Sequence, residues 1–114
     1  MKEDIKRLWV DALRSGKYKQ ARSALATKDG YCCLGVLCQL AVDSGVPIKV
    51  KEVRSGLGAV TSYDDARFLL PTAVQEWAGL EANPVLGNPL TNLADMNDRR
   101  NSFAVIADAI EEYL

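Results

Sequence analysis

The residues with the greatest chemical potential in this sequence are its three cysteines, Cys32, Cys33 and Cys38. Zinc takes four ligands with spacings such as C-x2-C, whereas this chain has the spacing C-C-x4-C, no fourth cysteine and no histidine. On a helix the three side chains point about 0°, 100° and 240° around the axis, so they diverge. The pattern therefore predicts no metal site and no cofactor site. It indicates that Cys33 and Cys38 are small core hydrophobes.

Catalytic chemistry is the second possibility for these thiols. A cysteine nucleophile needs a base, a cation or a helix N-terminus that lowers its pKa. The chain has no histidine, which is the commonest general base. Cys32 lies beside the only polar stripe of its segment, and we expect it to be the thiol that reacts first with a labelling reagent.

Acidic residues and glycines add no catalytic pattern. The glycine pair Gly56-x-Gly58 lacks the third glycine, strand and helix of a phosphate-binding loop. The carboxylates are spaced as at turns and helix boundaries, where they accept hydrogen bonds from free backbone N–H groups. They occur at Asp64, Asp65, Asp95, Asp98, Asp108, Glu111 and Glu112. The sequence predicts no catalytic residue.

Two polar segments contain side chains of specific types that packing alone does not require. One holds Tyr18, Gln20 and Arg22, and the other is the pair Asn97-Asp98. We interpret these five residues as a partner-binding surface. The alternative interpretation is that they fix turns through hydrogen bonds from side chain to backbone.

Composition and charge limit the classes of function. A chain of 114 residues fits one domain, residues 1–114, and its formal net charge is −1. So little net charge argues against binding along nucleic acid, although a local basic cluster exists at Lys17, Lys19, Arg22 and Lys28. The sequence contains no run of about 18 apolar residues, the length needed to span a membrane. The N-terminus lacks a signal peptide's apolar core, and the odd cysteine count suits reduced thiols, so we expect a cytosolic protein.

Hydrophobic periodicity predicts an α+β fold that is mainly helical with one small β-hairpin. Its centre is a buried helix over about residues 32–43, which N-terminal, middle and C-terminal helices enclose. On that helix Gly35, Gln39 and Asp43 form one narrow polar stripe. The alternation around residues 48–53 and 59–63 predicts the hairpin, with residues 54–58 as its loop.

The other helices are predicted from apolar stripes and from residue types that commonly begin or end a helix. An N-terminal helix presents a stripe, and a glycine after it stops the helix. The stripe consists of Ile5, Leu8, Trp9, Ala12 and Leu13. Asp64-Asp65 opens a helical turn, Pro71 is the first residue of a helix that Gly79 stops, and a short helix over about residues 90–96 breaks at Asn97-Asp98. Ser102 is the N-cap of the last helix.

Three blocks give the chain a resemblance to known sequences. They are W-x-x-A-L-x-S-G-x-Y-x-Q at residues 9–20, GYCCLGVLC at residues 30–38, and N-D followed by S-F-x-x-I-A-D within residues 97–108. Their order, with L-P at residues 70–71 and W-x-G-L at residues 77–80, resembles small uncharacterised proteins of tailed bacteriophages, actinobacterial phages among them. The resemblance implies a setting in the cytoplasm of the bacterial host and no particular activity.

The first hypothesis is therefore a non-enzymatic accessory phage protein that binds a host or phage protein. A second is a protein that binds a small ligand or nucleotide, or a small enzyme, with a pocket between the hairpin and the helices. Tyr18, Gln20, Arg22 and Asp98 around one cavity would favour the second hypothesis. A third, DNA binding, would use a set of basic residues: Lys17, Lys19, Arg22, Arg99 and Arg100.

Overall fold

A computed structural model describes residues 1–55, 58–80, 85–86 and 91–114 of the chain. Within these ranges the helices are α1 (Glu3–Arg14), α2 (Cys33–Asp43), α3 (Thr72–Ala78), α4 (Leu93–Asp98) and α5 (Phe103–Tyr113). The strands are β1 (Ala26–Thr27), β2 (Gly30–Tyr31), β3 (Val50–Ser55), β4 (Gly58–Tyr63), β5 (Val85–Leu86) and β6 (Thr91–Asn92). The predicted α+β class is confirmed.

Helix α2 is the centre of the core, as predicted. Every residue from Cys33 to Cys38 is buried, and α1, α3, α4 and β2 pack against the helix. Cys32 is the N-cap, and its sulfur accepts a hydrogen bond from Gly35 N at 3.4 Å. Trp9 of α1 is fully buried and donates from Nε1 to Cys33 O at 3.0 Å. The thiols of α2 are therefore part of the packed interior.

Gly35 departs from its predicted place on a polar stripe, because it is buried against the chain that enters β1. A Cβ atom at Gly35 would lie 2.6 Å from the carbonyl carbon of Leu25 and closer still to its oxygen. That oxygen accepts a hydrogen bond from Cys32 N at 3.0 Å. The absence of a side chain is what allows this close approach of two backbone segments.

Helix α1 buries a slightly different face from the predicted stripe. Trp9, Val10 and Leu13 are buried, whereas Leu8 is 40% exposed. The reason is that α1 packs on both α2 and α5, so its contact surface is turned toward Val10. At the exposed edge of the α1–α5 contact, Arg14 pairs with Asp108 at 2.6 Å and with Glu111 at 2.7 Å.

The predicted hairpin is confirmed and belongs to a larger sheet. Strands β3 and β4 pair antiparallel, with Val53 opposite Val60, and the full strand order is β2-β1-β4-β3. Strands β1 and β2 were not predicted, because two-residue strands are too short to show alternation. The predicted loop, residues 54–58, is shorter in the structure because the strands extend to Ser55 and from Gly58, and its centre at 56–57 lies outside the described residues.

Three predicted helix boundaries are wrong. Asp64 and Asp65 open no helix, since both have positive φ (51° and 67°) in a turn where Asp64 Oδ1 accepts from Lys49 N at 2.8 Å. Helix α4 does not break at Asn97-Asp98 but includes both residues, because Asn97 is held in the core. Pro71 precedes α3 as its N-cap instead of forming its first residue.

The C-terminal helix begins as predicted. The Ser102 side chain accepts a hydrogen bond from Val105 N at 3.2 Å, which is the usual N-cap arrangement. Its buried face consists of Phe103, Ile106, Ala107 and Ile110. In the described ranges no helix has the length and apolar character needed to cross a bilayer.

Candidate functional site

A partly open cavity of about 710 Å³ lies between the sheet and the segment that joins α1 to α2. Residues 20–24 and 27–29 form one wall, β3 and β4 form a second, and Arg67 and Phe68 complete the lining. Ligand pockets commonly have volumes of about 300–1,000 Å³. The cavity is therefore large enough for a small organic ligand.

The charged side chains that line this cavity are mostly cationic. They comprise two carboxylates, Asp29 and Glu52, and four cations, Arg22, Lys28, Arg54 and Arg67. The lining thus carries two more positive charges than negative ones, in a chain whose net charge is −1. A concave surface with a surplus of one charge sign concentrates its potential and attracts ligands of the opposite sign.

These cations are poorly matched within the protein. Among the described residues Arg54 alone of the four lies within ion-pair distance of a carboxylate, with its Nη2 4.0 Å from Glu52 Oε1. The Nε atom of Arg22 is buried and has no hydrogen-bond acceptor among those residues. A buried donor without an acceptor costs free energy, about 1–3 kcal/mol. Since this Nε has no contact with solvent, it is not open to a ligand in the cavity. What the cavity offers an anion is the charge of its four cations, three of which lie beyond ion-pair distance of any described carboxylate.

The position of Arg22 is fixed by the residues on either side of it. Ala21 N donates to Tyr31 O at 2.7 Å, and Ala21 O accepts from Asn97 Nδ2 at 2.8 Å. Ser23 has a φ of 73°, and its N–H donates to Asp98 Oδ1 at 3.0 Å. Helix α4 thus holds the backbone of residues 21–23 through two side chains, which sets the direction of the Arg22 side chain.

Asn97 and Gln20 form one hydrogen-bonded unit. Asn97 is fully buried, and its Oδ1 accepts from Gln20 Nε2 at 2.8 Å and from Cys33 N at 3.2 Å. Gln20 Nε2 also donates to Asn101 O at 2.8 Å. The interior position of Asn97 prevents it from touching a partner, so its predicted role as a contact residue is replaced by a positioning role.

The five residues predicted as a partner surface are therefore divided by the structure. Gln20 and Arg22 line the large cavity, and Asp98 lines a neighbouring one of about 100 Å³. Asn97 lies beneath both segments. Tyr18 is separate: its ring packs edge-on against Tyr31 at 5.5 Å, and the Lys17 ammonium lies 5.7 Å from its centroid.

Arg67 and Phe68 come from the turn region after β4, where the sequence predicted a helical turn opened by Asp64-Asp65. Leu25 N donates to Arg67 O at 2.7 Å, which ties this region to the segment before β1. Phe68 lines both the large and the small cavity, and 59% of its surface is exposed. An exposed aromatic ring therefore lies at the boundary between the two cavities.

Sequence reasoning missed much of this site. It singled out Gln20, Arg22 and Lys28, but not Arg54, Arg67 or Phe68. In the sequence these three residues look like ordinary surface positions, since nothing in a periodic pattern brings residue 22 together with residues 54 and 67. Their proximity depends on the pairing of β1 with β4.

All three thiols are buried, and burial raises their pKa values. The pKa of Cys32 is raised to about 11, and that of Cys33 lies well above its usual range, in both cases mainly through desolvation. Cys33 Sγ contacts Leu93 O at 3.3 Å. In the described ranges no three Cys, Asp or Glu side chains are grouped closely enough to hold a metal ion.

We expect the thiols of the folded protein to resist Ellman's reagent at pH 8. A pKa of about 11 for Cys32 leaves roughly one thiolate in a thousand at that pH. Absorbance at 412 nm should report less than one thiol per chain over several minutes, and three after unfolding in guanidinium chloride. A Cys32→Ser variant identifies any slow native reaction as that of Cys32. Rapid native release of one equivalent would contradict the burial of these sulfurs.

Comparison with known proteins identifies a family. The chain matches the family described as Domain of unknown function (DUF8296) over residues 1–114. No curated protein and no solved structure matches it. Since the family match covers every residue of the chain, this protein belongs to the DUF8296 family.

Proposed function

We propose that this protein is a non-enzymatic binding protein whose cavity between the sheet and residues 20–29 holds a small anionic ligand. The observation that carries the proposal is the surplus of cations in the cavity lining, four against two carboxylates, of which Arg54 alone lies within ion-pair distance of a carboxylate among the described residues. Guanidinium groups bind phosphate and carboxylate oxygens through charge-assisted hydrogen bonds. Arg67 and Lys28 supply further positive charge on the same walls.

This arrangement supports the second hypothesis from the sequence, a small-ligand binding protein or small enzyme with a pocket between the hairpin and the helices. Gln20 and Arg22 do line one cavity beside the hairpin, although Tyr18 does not and Asp98 lines the smaller neighbour. A binding role agrees better with the lining than a catalytic role does. The only thiols are buried with raised pKa values, so they are poor nucleophiles.

Docking of a host or phage protein is a second candidate function. It is supported by Phe68 and Leu69, which are adjacent, apolar and 59% and 46% exposed. The resemblance to phage proteins supports a setting in the cytoplasm of an infected bacterium. Affinity capture from infected cells tests this candidate, and a protein captured equally well by a Leu69→Asp variant would count against this surface.

The anion site is tested by titrating the protein with pyrophosphate and, separately, citrate in low salt by isothermal titration calorimetry. We expect binding of at least one anion with a stoichiometry of one, and an affinity at least tenfold lower in Arg22→Gln. That loss corresponds to about 1.5–3 kcal/mol for a hydrogen bond to a charged group. Glutamine keeps much of the side-chain length and removes the charge.

A matched control is Arg99→Gln, which makes the same charge change at an exposed residue of the turn after α4 that does not line the cavity. Its affinity for either anion should stay within twofold of the parent protein. If neither pyrophosphate nor citrate binds at millimolar concentration, or if both variants lose affinity equally, the proposed anion site is wrong.

A further inference from the structure

We infer that the anionic ligand is a nucleotide, with its phosphates at Arg22 and Arg67 and its base stacked on Phe68. This inference rests on the proposed function and deepens it, because it assigns a chemical class to the ligand. It rests on the residue types around the cavity. An aromatic ring and two carboxylates line it beside the cations, whereas a simple anion would need only the cations.

Phe68 supplies the first argument. It follows Arg67 directly in the chain, lines the same cavity, and exposes 59% of its surface. The hydrogen bond from Leu25 N to Arg67 O at 2.7 Å holds the backbone next to it. Nucleobases stack on aromatic rings of this kind, and an inorganic anion gains nothing from one. A phosphate-binding arginine beside an exposed ring matches the two ends of a nucleotide.

The carboxylates supply the second argument. Asp29 and Glu52 line the cavity together with its cations, although they reduce its attraction for anions. Carboxylate oxygens accept hydrogen bonds from ribose hydroxyl groups in dinucleotide sites. A ligand with phosphates and with hydroxyl or amino donors can bind both the cations and the carboxylates of the lining, whereas pyrophosphate can bind only the cations.

Size and charge supply the third argument. The cavity volume of about 710 Å³ falls in the range of pockets that enclose drug-sized ligands. A nucleic acid strand would instead be favoured by basic residues in excess along an extended path. The chain carries 14 basic and 15 acidic residues, whereas this cavity's lining carries four basic and two acidic ones. These features favour a free nucleotide over a polymer.

The test compares ATP, AMP and pyrophosphate by calorimetry in the parent protein, Phe68→Leu and Phe68→Tyr. The parent should bind at least one nucleotide at least tenfold more tightly than pyrophosphate. Phe68→Leu should lower nucleotide affinity by about 5- to 150-fold, the range expected for loss of one stacked base, and leave pyrophosphate affinity within twofold. Phe68→Tyr, which keeps the ring, should restore nucleotide affinity.

Proton NMR gives a readout that a merely structural role would not change. The adenine H2 and H8 resonances of ATP should move upfield on binding to the parent protein and to Phe68→Tyr, but not to Phe68→Leu, because ring current acts only on a stacked base. Equal affinities for ATP and pyrophosphate would overturn the nucleotide assignment and leave the anion site intact. Tighter binding of a ten-nucleotide single-stranded DNA than of either nucleotide would also overturn it. Failure of ATP, AMP and pyrophosphate alike would overturn the nucleotide assignment, and failure of citrate as well would overturn the anion site.

Discussion

Replacement of Gly35 by alanine should lower the stability of this protein by about 3 kcal/mol or more, the upper part of the range for overpacking a core. Alanine usually stabilises a helix relative to glycine by about 1 kcal/mol. Here the new Cβ would meet the backbone of Leu25, 2.6 Å from its carbonyl carbon. Backbone cannot rotate away as a side chain can, so α2 and the segment before β1 must separate. Thermal unfolding followed by circular dichroism should show a midpoint lower by roughly 10 °C or more.

Gly16→Ala is the matched control for this substitution. A Cβ at Gly16 would meet nothing within 4 Å, but the residue has a φ of 76°. The control therefore costs only the backbone strain of a left-handed residue, about 1–2 kcal/mol. A Gly35→Ala midpoint equal to that of the parent protein, or a smaller loss than in Gly16→Ala, would show that the two backbones are not in close contact.

Replacement of Asn97 by aspartate should be about as damaging as Gly35→Ala, with a loss of about 3–5 kcal/mol near neutral pH. Asn97 is fully buried, donates to Ala21 O and accepts from both Cys33 N and Gln20 Nε2. An ionised aspartate would keep the acceptor but place a buried charge against the Ala21 carbonyl oxygen. Breaking a buried polar network so as to leave an uncompensated charge has a cost of this size.

This loss should depend on pH in a defined direction. Burial and the facing carbonyl raise the pKa of an aspartate at this position in the folded state above its unfolded value of about 3.9. The protonated acid can donate to Ala21 O, so the lost stability returns as the pH falls through the folded-state pKa toward 4 and is absent above it. The difference in unfolding midpoint between parent and variant should be smaller at pH 4.5 than at pH 8.

Asn101→Asp provides the control, because it makes the same charge change at a half-buried residue whose Nδ2 donates to Met96 O at 2.9 Å. Its loss of stability should be smaller and less dependent on pH. If Asn97→Asp and Asn101→Asp unfold alike at both pH values, Asn97 is not the buried centre of this network. The position of the Arg22 side chain should also change in Asn97→Asp, because Asn97 holds the carbonyl of the preceding residue, Ala21.

The amino-acid pattern by itself determined the class of fold and the identity of its central element. The apolar run over residues 33–42 leaves a helix no exposed face wide enough for solvent, so the other helices must surround it. The N-cap at Ser102, the hairpin of β3 with β4, and the interior location of the cysteines follow from local residue types in the same way. Hydrophobic periodicity and helix-end residues act over a few neighbouring positions, so they can be recognised in the sequence alone.

Only the tertiary structure decided where the site lies. Arg22, Arg54 and Arg67 become neighbours of one cavity because β1 pairs with β4, and a two-residue strand leaves no signal in the sequence. Asn97 resembles a turn residue until the core is assembled around it. Asp64 and Asp65 form a left-handed turn in place of the predicted helical turn. The reason is that Asp64 Oδ1 accepts a hydrogen bond from the backbone N–H of Lys49, fifteen residues earlier. Contacts between distant segments depend on how whole elements pack, and no local pattern records them.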